Sequence, residues 1–337
     1  VIFAGAHILS VEQFEREDIL RVFAVADRME PYAQRQKLTK VLDGAILGSM
    51  FFEPSTRTRV SFGCAFNLLG GEVRETTGFE HTAIAKGESL YDTARVISGY
   101  SDAIVMRHPQ AGSVAEFAGA SRVPVINGGD GANEHPSQAL LDLYTIQKEL
   151  KLSGRNLDGL RIALIGDLRH GRTVHSLCKL LGLFNKITVS LISPVELKMP
   201  PAIVDALREA GHSVVESDRM EQSIANVDIA YSTRIQEERF ASREEALIYR
   251  GQYRLNQAIY TRFCEPNTVI MHPLPRDSRQ EANELDNDLN ENPNLAIFRQ
   301  TDNGVLVRMA LFALIFDVVE LVDQYASEVH WHIRRRH

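Results

Sequence analysis

Ile46–Gly71, ILGSMFFEPSTRTRVSFGCAFNLLGG, is the stretch whose reading decides the fold. The apolar run from Ile46 to Phe52 has the length and composition of a buried strand. Glu53-Pro54 stops it, because the residue before a proline is pushed out of the α region. A helix is expected next, with Ser55 as its N-cap. Val60, Cys64 and Leu68 recur at four-residue spacing and predict one buried face, and Gly70-Gly71 ends the helix. The hydroxyls of Ser55, Thr56 and Thr58 and the guanidinium of Arg57 therefore crowd a helix N-terminus. Its backbone N–H groups and positive dipole end favour an anion, and the added donors suit a phosphate. The same residue types also make an ordinary capped helix with solvated arginines, so the rest of the chain has to decide.

A chain of 337 residues is long enough for two domains, each with its own core. A formal net charge of -7 argues against non-specific affinity for nucleic acid, so an anionic ligand must be met by a local basic pocket. The three cysteines, Cys64, Cys178 and Cys264, are far apart and read as reduced thiols. No apolar run approaches membrane-spanning length and no basic-then-apolar leader is seen, which sets the cytoplasm as the expected compartment.

Along the chain, Ser10 to Met29 reads as a capped amphipathic helix, with Gln13 three residues after Ser10. Strands are expected near 72–76, 103–106, 123–126, 160–165, 187–192, 214–215, 227–231 and 268–271, with helices near 90–100, 136–150, 172–183 and 200–210. Gly304 to Tyr325 reads as one long apolar helix. Strands alternating with helices of this length imply mostly parallel sheets with right-handed crossovers. The expected fold class is thus α/β, two doubly wound domains with mostly parallel sheets joined by long helices. The polar segment Lys151–Gly159 divides domain 1–150, to which helix 304–325 returns, from domain 151–303.

Polar clusters directly follow predicted strands or open the next helix: STRTR at 55–59, MRHPQ at 106–110, EHPSQ at 134–138, GRTVH at 171–175, STRIQ at 232–236 and HPLPR at 272–276. In open α/β sheets that edge is where ligands bind. Their content is cationic and hydrogen-bonding, without a nucleophile–base set or paired carboxylates. The chemistry implied is positioning and electrostatic stabilisation of an anionic substrate, with no covalent intermediate. There is no Walker A sequence and no G-x-G-x-x-G, so NTP hydrolysis and nicotinamide chemistry lose ground, and neither a cofactor nor a metal is expected.

In order and spacing, STRTR, the Lys86-Gly87-Glu88 loop, MRHPQ, DGANEHPSQ, GDLRHGRTVHS, TRIQ and HPLPR resemble the catalytic chains of the aspartate carbamoyltransferase family over roughly residues 5 to 320. Ornithine carbamoyltransferases share STRTR but look different at His272–Pro275 and lack the lysine loop. The resemblance implies transfer of the carbamoyl group of carbamoyl phosphate to L-aspartate, in pyrimidine synthesis. Residue by residue, it implies that Ser55, Thr56, Arg57 and Thr58 hold the phosphate, and that Arg107, His135 and Thr58 surround the carbamoyl oxygen. It gives Gln138 and the carbonyls of Pro273 or Leu274 the carbamoyl amide and incoming amine, and it gives Arg172, Arg234 and Gln236 the carboxylates of aspartate. Thr82 and Lys86 would enter the site of a neighbouring subunit, which implies a homotrimer with shared sites, and regulatory chains are further partners such a trimer could take. Nucleic acid and membrane are not expected partners. Two other readings stay open: a carbamoyltransferase for another amino acid, and a non-catalytic homologue serving as a partner subunit.

Overall fold

The first half of the chain alternates short strands and helices in the computed structural model, which describes residues 1–77, 86–279 and 281–331. Helix α1 (Arg16–Ala33) precedes β1 (Lys37–Thr39), β2 (Ile46–Phe51), α2 (Thr56–Leu68), β3 (Glu72–Thr77), α3 (Leu90–Ile97), β4 (Ala103–His108), α4 (Ser113–Ala120) and β5 (Val125–Asp130). Then come α5 (Pro136–Lys151), β6 (Arg161–Ile165), α6 (Arg172–Leu181), β7 (Thr188–Ile192), α7 (Pro201–Glu209) and β8 (Ser213–Ser217). The chain goes on through α8 (Met220–Ser223), β9 (Ile229–Ser232), α9 (Arg243–Leu247), α10 (Gln257–Phe263), β10 (Val269–Met271), α11 (Ile297–Ile315) and β11 (Ala326–Glu328). Two compact units result, one made of Val1–Ser137 with Asn303–His337 and the other of Gln138–Asp302. In sequence the units change over inside α5 and inside α11, whereas composition alone marks the polar segment 151–159.

Strands β3-β2-β4-β5 form a parallel sheet in the first unit. From β2 the chain moves outward to β3 and then crosses back to β4, so the topological switch lies between β2 and β4. In the second unit a parallel sheet runs β10-β9-β6-β7-β8. There the chain moves from β6 to β7 and β8 before crossing to β9, which puts the switch between β6 and β9. Ligands of open parallel sheets bind outside the carboxyl ends of strands at such points. Both switches sit where the polar clusters fall. These sheets and helices give the α/β class that the alternating pattern implies.

Each sheet has its own apolar core. Met50, Ile104, Met106 and Val125 pack with Val114 and Phe117 of α4 in the first unit. Ala163, Ile165, Ile192, Ala230 and Ile270 pack with Tyr260, Leu285 and Leu295 in the second. Strand ends approach closely at two glycines. A Cβ on Gly166, at φ +120, would stand 2.3 Å from the carbonyl oxygen of Thr233, and one on Gly131, at φ +57, would stand 2.6 Å from that of Pro109. Only glycine fits either place without moving the backbone.

Several local expectations are corrected. Ser10 and Gln13 do form a capping box, but around the short 3-10 turn Val11–Gln13. A second box, Glu15 with Asp18, starts α1 at Arg16, and that helix runs on through Pro31 to Ala33. In α2 the buried face is Thr58, Phe62, Gly63, Ala65 and Phe66, while Val60 is 54% exposed. The aromatic side chains win this competition, because Phe66 and Phe62 stack edgewise on Phe312 of α11 at 4.9 and 6.0 Å. The last long helix is Ile297–Ile315, not 304–325. Asp317 ends it by adopting φ 54, and Val318 N–H donates to the Ala313 carbonyl at 2.9 Å in a Schellman closure. The chain then returns as β11 to pair antiparallel with β1.

Candidate functional site

In the first unit, the carboxyl ends of β2 and β4 are neighbours, with Phe51 opposite Arg107 and the Phe52 N–H donating to the Arg107 carbonyl at 2.9 Å. Beyond β2, Ser55 takes the N-cap position of α2 with φ -162 and ψ 86, but its hydroxyl makes no capping bond to the helix. Thr56 and Arg57 follow, both exposed, and then Thr58, which is buried. The second arginine of the motif points elsewhere, since Arg59 pairs with Glu75 of β3 at 2.5 Å. The N-terminus of α2 thus presents backbone donors, hydroxyls and Arg57 beside the end of β4.

Arg107 is held rather than swinging free. Its Nε donates to Glu53 at 2.9 Å, and its terminal nitrogen to the Gly128 carbonyl at 3.3 Å. His135, 4% exposed, has Nε2 at 3.4 Å from the Thr58 hydroxyl oxygen. The loop carrying His135 is organised by Asp130, whose carboxylate accepts from Glu134 N–H, Asn133 Nδ2 and Gly112 N–H. Arg308 of α11, 4% exposed, donates to Ser61 at 2.8 Å and to Ser137 at 3.4 Å while covering the Phe62 ring at 4.7 Å. It fastens the first turns of α2 and α5. His108 of the MRHPQ cluster is structural: it is buried against Phe52, its Nδ1 accepts from Gln110 N–H at 3.1 Å, and burial lowers its pKa.

In the second unit, Asp167 at the end of β6 is the fastening point. It accepts from the N–H of His170 at 3.0 Å and from the N–H of Gln236 at 3.1 Å, tying the loop after β6 to the loop after β9. Arg172 opens α6 and is 8% exposed. Arg234 follows β9, and its guanidinium forks onto both oxygens of Glu238, at 3.0 and 2.5 Å. Burial acts to lower the pKa of Arg234, and Glu238 outweighs it, so the net shift is upward and the cation is secure. Gln236 lies on the same loop, its Nε2 donating to the Arg234 carbonyl at 3.3 Å. A guanidinium has five donors, so Arg234 keeps capacity for a carboxylate while Glu238 fixes its plane.

The loop after β10 carries Pro273 and Leu274. His272, 1% exposed, accepts from the Leu274 N–H through Nδ1 at 2.8 Å and donates from Nε2 to Glu284 at 2.6 Å. Leu274 sits at φ 57, in the left-handed region, which a branched side chain enters only when its surroundings hold it there. Gln138, on the first turn of α5, is half-buried and donates from Nε2 to Asp142 at 2.9 Å. Lys86 is exposed next to Gly87, and Thr82 lies outside the described residues.

The sequence clusters therefore divide between two sheets. Thr58 and His135 are in contact, Arg57 lies in the first turn of α2 beyond β2 while Arg107 stands near the end of the paired strand β4, and Arg234 and Gln236 share a loop laced to Asp167. Reading the sequence misses Glu53, taken only as a strand stop, and Arg308 of α11. Among the described residues, no group of three His, Cys, Asp or Glu side chains could hold a metal ion, and no helix is long and apolar enough to cross a membrane. The donor sets fit a phosphate in one unit and carboxylates in the other.

Residues 6–148 match the family model described as the carbamoyl-P binding domain of aspartate/ornithine carbamoyltransferases, and residues 158–315 match that family's Asp/Orn binding domain. The chain is 77% identical to the aspartate carbamoyltransferase catalytic subunit of Saccharophagus degradans, covering 99% of each chain. It is 75% identical to that of Cellvibrio japonicus, covering 98% of this chain and 97% of that one. Its fold is similar to the catalytic subunit of M. jannaschii aspartate transcarbamoylase, with TM-score 0.83 and 41% identity over 92% of this chain and 98% of that one. It is also similar to the Trypanosoma cruzi aspartate transcarbamoylase solved with carbamoyl phosphate and aspartate, with TM-score 0.84 and 36% identity over 93% and 96% of the two chains.

Proposed function

The chain belongs to the aspartate/ornithine carbamoyltransferase family, and from that premise we propose that it transfers the carbamoyl group of carbamoyl phosphate to the amine of L-aspartate, giving N-carbamoyl-L-aspartate and phosphate. The observation that carries the choice of aspartate is the loop after β9, where Arg234, fixed by Glu238, and Gln236 stand on the same switch as Arg172. Guanidinium forks match the two carboxylates of aspartate and repel a diamine.

The residues then take these roles. Backbone N–H groups at the start of α2, with Ser55, Thr56, Arg57 and Thr58, bind the phosphate. Arg107, His135 and Thr58 surround the carbamoyl oxygen, where negative charge develops as the amine attacks the carbonyl carbon. Gln138 and the carbonyls of Pro273 and Leu274 accept hydrogen bonds from the carbamoyl amide and the incoming amine. The C–N bond forms, the C–O bond to phosphate breaks, and the amine proton leaves on the departing phosphate. Arg57 offsets the charge that phosphate gains. No side chain forms a covalent bond to the substrate.

The measurement that tests this is product formation by the purified chain from carbamoyl phosphate with aspartate and, separately, with ornithine. Carbamoyl aspartate is expected from the first and nothing from the second. Activity with ornithine would overturn the carboxylate assignment, and activity with neither would favour a non-catalytic partner subunit.

The reaction is proposed to serve pyrimidine synthesis in the cytoplasm, in a homotrimer whose Lys86 reaches a neighbour's site. Lys86 is exposed on its own chain, as such a role requires. Chains carrying Lys86→Ala and Arg57→Ala, each nearly inactive alone, are expected to regain activity when dissociated, mixed and reassembled. In a cyclic trimer every mixed assembly holds one intact site, so an equal mixture should reach about a quarter of the unsubstituted activity. No recovery would make the sites self-contained.

A further inference from the structure

A single buried carboxylate in the second unit gathers groups that the reaction scheme uses from two separate segments. Asp142 of α5 is fully buried. Its Oδ1 accepts from Gln138 Nε2 at 2.9 Å, one helical turn earlier, and from Gln300 Nε2 at 2.7 Å. Its Oδ2 accepts from the Tyr231 hydroxyl at 2.6 Å. Gln300 extends the chain of bonds, since its Oε1 accepts from the His272 N–H at 3.1 Å. His272 in turn takes the Leu274 N–H on Nδ1. Three donors converge on Asp142, and each is itself buried or half-buried.

An ionised carboxylate only accepts, so both glutamine amides must turn their nitrogens toward Asp142. For Gln138 the consequence is that Oε1 faces away from Asp142 as an acceptor. For Gln300 it is that Oε1 meets the backbone at the start of the His272–Pro275 loop. We infer that Asp142 is a positioning residue for carbamoyl recognition, fixing the flip of the Gln138 amide and, through Gln300 and His272, the setting of the Pro273 and Leu274 carbonyls. The three acceptors offered to the carbamoyl amide are thereby set by one buried group. Burial first, and then Asp142, push the Tyr231 phenol well above its ordinary range, so it remains a donor to the carboxylate. The inference rests on the assignment of Gln138 to the carbamoyl amide.

Its test is a double-mutant cycle read as kcat/KM for carbamoyl phosphate at saturating aspartate, with inorganic phosphate binding measured beside it. Asp142→Ala leaves the Gln138 amide without its partner, so kcat/KM should fall about 10- to 100-fold while phosphate affinity changes less than about twofold. In a Gln138→Ala background the same substitution should cost clearly less than in the unsubstituted chain, because the Gln138 route is already lost and only the route through Gln300 and His272 remains. Asp142→Asn retains an acceptor for the two amides and can donate to the Tyr231 oxygen, so it should stay within about threefold of the unsubstituted chain, which also covers the case in which alanine impairs folding. Losses that multiply across the cycle, a parallel fall in phosphate binding, or an Asp142→Asn loss as large as that of alanine would each overturn the inference. Unsubstituted kcat/KM in Gln138→Ala alone would instead overturn the Gln138 assignment.

Discussion

Replacing Arg57 by alanine is expected to lower kcat about 1,000-fold, the scale of removing a main transition-state donor, with thermal unfolding unchanged. The second half of that expectation follows from placement. Arg57 is exposed in the first turn of α2, whose buried face is Thr58, Phe62, Gly63, Ala65 and Phe66, so the substitution removes no core packing. Helix propensity also favours alanine. The first half follows from charge. A phosphate group leaving carbon gains negative charge along the reaction coordinate as the C–O bond breaks, and a guanidinium fork beside the helix N-terminus interacts more strongly with that departing phosphate, before it takes up the amine proton, than with the bound acyl phosphate. The loss should therefore appear in kcat more than in KM for carbamoyl phosphate. Arg57→Lys keeps the charge without the fork and should recover only part of it. Steady-state kinetics of the two variants check this, and kcat near the unsubstituted value in Arg57→Ala would remove Arg57 from the phosphate site.

The local grammar of the chain was legible because it is short-range. Proline after an apolar run, hydroxyls ahead of a helix and glycine pairs at its end act within a few residues, so the strand–turn–helix at 46–70 and the alternation of strands and helices could be read directly. The polar clusters could also be placed at strand ends, since that needs only the strand boundaries. Face and register are another matter. In α2 both the Val60–Cys64–Leu68 stripe and the Phe62–Phe66–Leu69 stripe are apolar at helical spacing, and the partner that decides between them, Phe312, is about 250 residues away in sequence. The end of α11 depends on Asp317 taking a left-handed conformation, open to aspartate but not signalled by it. Asp142 was the least legible of all. In LLDLY it reads as a polar interruption, and its partners Tyr231 and Gln300 lie 89 and 158 residues away. Glu53 shows the same limit at close range, because nothing before the fold reveals that β4 brings Arg107 beside it.

Removing the guanidinium of Arg234 should raise KM for aspartate about 100-fold, the scale of a lost charge-assisted fork, and leave carbamoyl phosphate binding intact. Arg234 belongs to the loop after β9, in the unit formed by Gln138–Asp302, while the turn proposed to bind phosphate belongs to the other unit. The two binding energies should thus separate cleanly in Arg234→Ala. Because Glu238 already holds the guanidinium plane with two bonds, an aspartate carboxylate bound there would meet a cation that loses little conformational freedom on binding. Glu238→Gln should consequently weaken aspartate binding less than Arg234→Ala, through loss of orientation rather than loss of the cation. Since an arginine stays charged across the working pH range, the KM effect should not vary between pH 6 and pH 9, at about one pH unit per measurement. A large fall in kcat with KM for aspartate unchanged would place Arg234 outside the carboxylate site and leave Arg172 and Gln236 to carry it. Arg234→Ala that gained ornithine as a substrate would instead show that repulsion by this cation is what excludes a diamine.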